Sequence, residues 1–396
     1  MTKFIKFVGL IGHISVFMDK IKFKRTLFDK ITPWLFQEKV IIIYGPRQVG
    51  KTTLAKTILE SYPDSLYLNC ERQPVWDLLS TKNPDRIKEY LGPVKLVVFD
   101  EAQKIPQIGQ VLKLLIDTYP EIQYIATGSS SFELSNELAE PLTGRNVKFT
   151  MYPVSLKELS CTFERFQLDD MLESLLRFGS YPGIAGRPES QKLTLLDELI
   201  GDYLFRDVLR FENIRRPEIL VNLLKAVALR IGNEVSYREL SGLLKVSVDT
   251  VQRYLHLLEQ SFVLFPLSSF SRNLRNEISR GKKYYFFDTG IRNSLLQNFA
   301  ILSNRTDIGP LWENFCMIER IKFNQAAGRR VNIYFWRTYQ QKEIDLLEES
   351  DGKLEAFEFK WSGKVKHKPP SDFFKTYPDS NYKLITKENY HRFLIS

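Results

Sequence analysis

Eight residues, Gly45 to Thr52, constrain this chain more than any others. They read Gly-Pro-Arg-Gln-Val-Gly-Lys-Thr and satisfy the pattern G-x-x-x-x-G-K-[ST]. A β-branched run, Val40 to Ile43, comes just before, and a helical pattern through Leu54, Ala55, Ile58 and Leu59 follows. Strand, glycine loop and helix form the context that a phosphate-binding loop needs. Gly45 and Gly50 let backbone N–H groups turn inward around phosphate oxygens, with Pro46, Arg47, Gln48 and Val49 completing the cradle. The helix that starts near Lys51 aims its positive dipole end at the same anion. Lys51 is expected to reach the β- and γ-phosphates of ATP, Thr52 to hold Mg²⁺, and Thr53 to belong to the nucleotide-binding loop. The alternative, a glycine turn before an ordinary helix, leaves the agreement of motif and context unexplained.

A second stretch has the matching chemistry. Val94-Lys95-Leu96-Val97-Val98-Phe99-Asp100-Glu101 is apolar apart from Lys95 and ends in two acids. It predicts a buried parallel strand with carboxylates at its carboxyl end, where open α/β sheets place ligands. Asp100 is expected to partner Thr52 on Mg²⁺, directly or through water, and Glu101 to orient and polarise the attacking water. Ile122 to Ala126 predicts the next strand, followed by Thr127-Gly128-Ser129-Ser130-Ser131. Ser129 or Thr127 is placed to sense the γ-phosphate; a plain serine-rich turn fits equally well. Arg145, in Leu142-Thr143-Gly144-Arg145, is either a finger on a neighbouring subunit's nucleotide or a surface arginine.

The chain has 396 residues, 43% hydrophobic and 26% charged, which predicts two to four packed domains and argues against disorder. A net charge of +9 favours contact with nucleic acid or another polyanion. Cys70, Cys161 and Cys316 are far apart and the four histidines are scattered. This speaks against a structural zinc site and fits a reducing cytosol, so a cytoplasmic location is expected. No run is long and apolar enough to span a membrane. Phe7 to Phe17 is apolar and follows Lys3 and Lys6, but no small-residue cleavage site comes after it. Residues 1–21 therefore read as an N-terminal extension, with Met18 as an alternative start.

Residues 24–38 predict a short amphipathic helix, Ser65 to Asn69 a strand, and Asp77 to Tyr90 a polar helix. The core is expected over 22–153. From 154 to 216 the pattern is helical, like a lid beside the nucleotide, interrupted by Phe178-Gly179-Ser180-Tyr181-Pro182-Gly183 and including a helix over Leu195 to Leu209. Over 217–298, Ile219 to Ile231 predicts a helix closed by Gly232, and Ser236-Tyr237-Arg238-Glu239 fits a capping box on a helix ending near Leu244. Ser247 caps a further helix with Val251, Tyr254, Leu255 and Leu258 on one face and Asp249, Gln252, Arg253 and His256 on the other. Phe262 to Leu267 and Lys283 to Phe287 read as strands flanking Arg272, Arg275, Glu277, Arg280, Lys282 and Lys283. Together these predict a winged helix. It either contacts DNA through Gln252, Arg253 and the wing arginines or serves only domain packing.

Residues 299–396 carry another constellation. Gly309-Pro310-Leu311-Trp312-Glu313 opens a helix to about Phe323, and Val331 to Arg337 predicts a strand. Glu343 to Glu348 and Leu354 to Lys360 predict a hairpin turning at Asp351-Gly352. Side chains two apart on a strand share a face, so Glu358 and Lys360 point the same way. Asp345, Glu358 and Glu313 are candidate ligands for a divalent cation, with Lys360 to activate water or neutralise charge. This is the order of a PD-(D/E)xK nuclease fold. A cross-strand charge pair is the other reading of Glu358 and Lys360. Lys364, Lys366 and Lys368 add to the basic surface.

The whole order resembles a widespread prokaryotic AAA-type ATPase family whose C-terminal part is a domain of unknown function. The resemblance rests on Gly-Pro-Arg-Gln-Val-Gly-Lys-Thr-Thr at 45–53, Val-Val-Phe-Asp-Glu-Ala-Gln at 97–103, Thr-Gly-Ser-Ser at 127–130, Leu-Thr-Gly-Arg at 142–145 and Tyr-Pro-Val-Ser at 152–155. It continues through Tyr-Phe-Phe-Asp-Thr-Gly at 285–290, Trp-Glu-Asn-Phe at 312–315 and Glu-Phe-Lys at 358–360, covering about 22–396. Val154 stands where Leu is usual and Phe359 where Val is usual. The resemblance implies an α/β P-loop core that binds ATP, a winged helix and a nuclease-like tail. A nucleotide-switched adaptor for a protein partner, in which the later domains only bind, is the rival expectation. A homo-oligomer fits either.

Overall fold

The computed structural model describes residues 23–129, 141–201, 216–270, 281–338, 340, 342–363 and 369–395. The N-terminal extension with Met18, Arg272, Arg275, Glu277 and Arg280 of the wing, and Lys364, Lys366 and Lys368 lie outside these residues. So do Ser130, Ser131 and the Leu195 to Leu209 helix beyond residue 201. The chain forms two compact units, one of residues 23–154 with 260–262, the other of 155–259 with 263–395.

The first unit is built on a five-stranded sheet in the order β2-β3-β4-β1-β5, every pair parallel. The strands are β1 (Val40–Tyr44), β2 (Ser65–Asn69), β3 (Leu96–Asp100), β4 (Gln123–Gly128) and β5 (Asn146–Thr150). β3 and β4 are buried along their whole length, as near-continuous apolar runs in a parallel sheet require. Register brings the functional ends together. Ile43 lies beside Thr127, and Phe99 beside Ala126. The residues after β1, β3 and β4 thus emerge on one edge, where the strand order reverses around β1.

Local chemistry reshapes two expected helices. Residues 24–38 hold a helix over Thr26–Ile31 that tightens to a 3₁₀ turn at Thr32–Trp34, around Pro33, and ends before the left-handed residues Phe36 and Glu38. The helix expected over Asp77 to Tyr90 is two, Gln73–Ser80 and Pro84–Leu91. Lys82 turns the chain at φ 52°, and Asn83 Oδ1 caps the second helix by accepting from the Asp85 and Arg86 N–H groups at 3.1 Å. The helix Ile108–Thr118 and strand β5 add to the elements expected from periodicity.

The second unit gathers segments expected as three separate domains. It contains a three-stranded sheet, order β6-β8-β7, of β6 (Glu234–Val235), β7 (Leu264–Leu267) and β8 (Lys282–Phe286). A four-stranded sheet, order β12-β11-β10-β9, holds β9 (Asn332–Arg337), β10 (Glu343–Ser350), β11 (Lys353–Phe359) and β12 (Asn381–Ile385). The backbone at 268–270 joins them, since Phe335 N–H donates to Ser268 O at 3.0 Å and Phe270 N–H to Phe335 O at 2.6 Å.

The long helix Ile308–Ala326 explains why the segments share one body. Its buried polar side chains find partners on every side. Glu319 accepts from Leu156 N–H at 2.7 Å, Asn314 bonds both the N–H and the carbonyl of Phe286, and Arg320 grips Glu348 at 2.7 Å.

The Phe178 to Gly183 interruption is a packing joint. Buried Asp288 accepts from Ser180 N–H at 2.7 Å and Gly290 N–H at 2.8 Å. Gly179 has φ 76°, and a Cβ there would fall 1.9 Å from Asp288 Oδ1. The paired helices Tyr237–Leu244 and Val248–Gln260 present the expected faces, with Val251, Tyr254, Leu255 and Leu258 buried and Gln252, Arg253 and His256 exposed. The capping box at Ser236 is only half made. Ser236 Oγ accepts from Glu239 N–H, but the Glu239 carboxylate pairs with Arg230 at 2.6 Å instead of returning to the cap.

Candidate nucleotide site and carboxylate cluster

The loop after β1 is glycine-dependent at its first position. Gly45 has φ 152°, and a Cβ there would lie 2.1 Å from Met151 O. The chain turns through left-handed Gln48 and Gly50 and enters the helix Lys51–Leu59. Lys51 is buried, and its ammonium donates to Gly45 O at 2.9 Å and Pro46 O at 2.7 Å, so it sits inside the loop. Val49 and Pro46 are buried, Arg47 and Thr52 are half-buried, and Gln48 and Thr53 are exposed. Arg25 pins the loop from outside the motif. Its guanidinium donates to Val49 O at 2.6 Å and to Tyr152 O at 2.5 Å. Nothing in the motif spacing points to Arg25.

Asp100 closes the other side. Thr52 Oγ1 donates to its carboxylate at 2.9 Å, Tyr67 OH at 2.6 Å, and the Thr127 hydroxyl also donates to it. Burial, and then the Asp100 carboxylate, hold the Tyr67 hydroxyl well above its ordinary pKa, so it stays a donor. Glu101 follows in a left-handed conformation with φ 54°. Gln103 connects the acid to the next strand tip, donating to Glu101 Oε2 at 2.5 Å and to buried Ser129 Oγ at 3.1 Å. Gln103 Oε1 is buried without a hydrogen-bond partner. Sequence reasoning passed over Tyr67 and Gln103, although Gln103 lies two residues from Glu101. The neighbouring hard oxygens of Thr52 and Asp100, 2.9 Å apart, fit a hydrated Mg²⁺.

Arg145 lies elsewhere. It precedes β5, where Asn146 pairs with Val40 at the start of β1, so it sits at the amino end of the sheet, away from the loop. Its guanidinium pairs with Asp117.

In the second unit the β10–β11 hairpin turns at left-handed Asp351 and Gly352, with Leu346 opposite Phe357. Asp345 accepts from Phe359 N–H at 2.8 Å, and Lys360 pairs with Glu358 at 2.6 Å. Glu313 accepts from Tyr285 OH at 2.7 Å. A residue assigned from sequence to the basic wing also enters this cluster. Fully buried Lys283 bonds Glu343 and lies 3.6 Å from Glu313. Burial, then the Asp345 charge, lifts Glu313 to about 8 and Glu358 to about 7. Burial also raises Asp345. Burial would lower Lys360, but Asp345 and Glu358 outweigh it and raise its pKa. Among the described residues no three His, Cys, Asp or Glu side chains converge as a metal-binding group. Glu313, Asp345, Glu358 and Lys360 therefore share one neighbourhood without forming the expected ligand trio. The Lys283 ammonium already stands as a cation beside Glu313 and Glu343.

A family model described as an AAA domain matches residues 37–160, a span that contains the loop, Asp100, Glu101, Gln103 and Ser129. The parallel-sheet core with its phosphate-binding-loop motif is thus similar to an AAA domain over this span. Two models of domains of unknown function match 169–301 and 308–393. An uncharacterised protein of Mycobacterium tuberculosis is 29% identical over 331 residues, covering 82% of this chain and 71% of that protein. One from Methanocaldococcus jannaschii is 28% identical over 334 residues, covering 79% and 73%. Among solved structures, the Walker-type ATPase of Pyrococcus abyssi is similar at 20% identity and a TM-score of 0.49, covering 69% of this chain and 96% of that one. No helix among the described residues is long and apolar enough to cross a membrane.

Burial in the core of the first unit is expected to make one thiol inert. Cys70 follows β2, fully buried, and burial with the Asp100 and Glu101 charges pushes its thiol up to about 12. The thiolate is the nucleophile, so at pH 8 iodoacetamide is expected to modify exposed Cys161 and leave Cys70 unmodified until denaturant is added. Peptide mass mapping reads the result; equal labelling of both in the native protein would contradict this burial.

Proposed function

We propose that this chain is a Mg²⁺-dependent ATPase of the AAA type. One observation carries the reading: Lys51, Thr52, Asp100 and Glu101 meet at one sheet edge, with Thr52 and Asp100 2.9 Å apart. On this reading the Lys51 ammonium exchanges its bonds to Gly45 and Pro46 carbonyls for β- and γ-phosphate oxygens. Bound Mg²⁺ neutralises phosphate charge, and Thr52 and Asp100 would hold it. Glu101 takes up the proton of the attacking water, while Gln103 fixes the Glu101 carboxylate and ties it to Ser129 at the proposed γ-phosphate position. Arg145 cannot serve its own loop from the amino end of the sheet, so any finger role is on a neighbouring subunit of a homo-oligomer. Phosphate release measured with ATP, with and without Mg²⁺, tests the reading. No release from pure protein removes it.

The domain scheme is part of the proposal: core 22–153, helical lid 154–216, winged helix 217–298 and nuclease-like segment 299–396. The helix Pro217–Ala228, the helix pair and the β6-β8-β7 sheet support the winged helix. Exposed Gln252 and Arg253 support DNA contact there. The free Cys70, Cys161 and Cys316 support a cytoplasmic location. DNA-stimulated turnover favours a DNA-acting enzyme; slow, DNA-insensitive turnover with one tight protein partner favours the adaptor.

The gathering of Glu313, Asp345, Glu358 and Lys360 favours a second reading, a nuclease-like tail. In the arrangement described, those residues do not fit a divalent cation, because an ammonium lies among them and the acids do not converge. The tail is therefore proposed as gated. If it cuts, Asp345→Ala and Lys360→Ala lose cleavage of single-stranded, branched or duplex DNA or RNA in Mn²⁺ or Mg²⁺ while ATP turnover persists. No cleavage of any of these by the wild type would leave the tail as a binding domain.

A further inference from the structure

We propose that Lys283 is the built-in cation of the C-terminal carboxylate cluster, and that it keeps divalent metal out for as long as β8 holds its place. This rests on reading the cluster as a nuclease-like constellation, and it concerns how that constellation is kept closed.

The position of Lys283 is fixed from both sides. Its backbone is paired with Glu234 of β6 and with Leu267 of β7, so the residue lies on the central strand of its sheet. Its side chain is fully buried. The ammonium bonds Glu343, stands 3.6 Å from Glu313 and lies 5.3 Å from the centre of the Phe335 ring. A buried ammonium persists only where carboxylates and a π-face compensate its lost hydration, and here both are present. The acids have the reciprocal need. Asp345 and Glu358 are buried near each other's charge, and Lys360 bonds Glu358 at 2.6 Å. Buried carboxylates that stay ionised near one another need a positive charge, which a divalent ion or an ammonium can supply. Lys283 supplies it from within. Its fixed charge repels a second cation a few ångströms away, and in a buried setting that repulsion is poorly screened.

The acids and the lysine come from different parts of the unit. Glu313 lies on the long helix, Glu343 and Asp345 on β10, and Lys283 on β8 of the other sheet. A second ion pair reinforces the same joint, Arg337 of β9 with Glu234 of β6 at 2.8 Å, and Arg337 also pairs with Glu343 at 3.4 Å. Moving β6 and β8 away from β9 and β10 would therefore withdraw the ammonium and expose the acids in one step. Divalent metal and the Lys283 contact are alternatives at this place.

The test is Mn²⁺ binding to the full chain without nucleotide, followed by electron paramagnetic resonance and by the metal-induced shift in melting temperature. The proteins are wild type, Lys283→Met, Glu343→Gln and the double variant Lys283→Met with Asp345→Asn. Lys283→Met is expected to bind Mn²⁺ at least tenfold more tightly than wild type, and the double variant to lose the gain. Glu343→Gln, which loosens the lysine without removing Glu313, Asp345 or Glu358, should fall between. If wild type and Lys283→Met bind equally and the double variant loses binding, the cluster is a metal site and the role of Lys283 is refuted. If no protein binds Mn²⁺ there, the metal reading of the cluster fails and the inference with it. Should Lys283→Met not fold, an unchanged affinity in Glu343→Gln overturns the proposal by itself.

Discussion

Lys51→Ala should lower ATP turnover by about 10²–10³-fold and weaken ATP binding, because it removes the one buried ammonium inside the loop. Glu101→Gln should behave differently. It keeps the shape of the site and the bond network around Gln103, so ATP should still bind within a few fold of wild type. Hydrolysis should slow by roughly 10²–10⁴-fold, the range expected when a positioned base is lost. Equilibrium binding of ATP and phosphate release, measured on the same preparations, separate the two effects. Turnover that is unchanged in both variants would remove the ATPase reading.

The largest stability effect is expected at Gly179. Gly179→Ala must adopt φ 76°, which costs an L residue about 1–2 kcal/mol, and its Cβ would lie 1.9 Å from Asp288 Oδ1. The carboxylate must then give up backbone N–H donors that keep it satisfied while buried. Losing a hydrogen bond to a buried charged group of this kind costs about 1.5–3 kcal/mol. Urea unfolding followed by tyrosine and tryptophan fluorescence should show the second unit melting first. ATP affinity should change little, since the unit that holds the phosphate-binding-loop motif is a separate compact unit. Asp288→Asn keeps the size of the side chain and should cost less. A Gly179→Ala protein as stable as wild type would show that the joint has room the structure does not reveal.

Much of the candidate nucleotide site was legible because the chemistry proposed for it demands particular residues at fixed spacing. Gly45, Gly50, Lys51 and Thr52 sit within eight positions, and the strand ending in Asp100 and Glu101 carries its own pattern. Parts of the fold were also written locally. The break at Asn83-Pro84 follows from a cap residue before proline, a signal present in the sequence but overridden by the polar helical pattern around it. What was not legible depends on contacts between distant segments. Arg25 reaches Tyr152 across 127 positions, and Lys283 reaches Glu343 across 60. No spacing rule joins such residues, and a lysine in a basic stretch gives no sign that it will be the buried one. The half-made capping box shows the same competition on a small scale, since Arg230 wins the Glu239 carboxylate.

The long helix Ile308–Ala326 has a consequence for inheritance. The two matched domains of unknown function meet between residues 301 and 308, yet Asn314 bonds the backbone of Phe286, Glu313 bonds Tyr285, and Phe335 is hydrogen-bonded to Ser268 and Phe270 across that boundary. A gene fusion that carried either segment into a new protein would strip buried polar groups of their partners. The unit of inheritance expected from these bonds is the pair of segments, since either one alone would leave Glu313, Asn314 and the Phe335 backbone without the partners they have here.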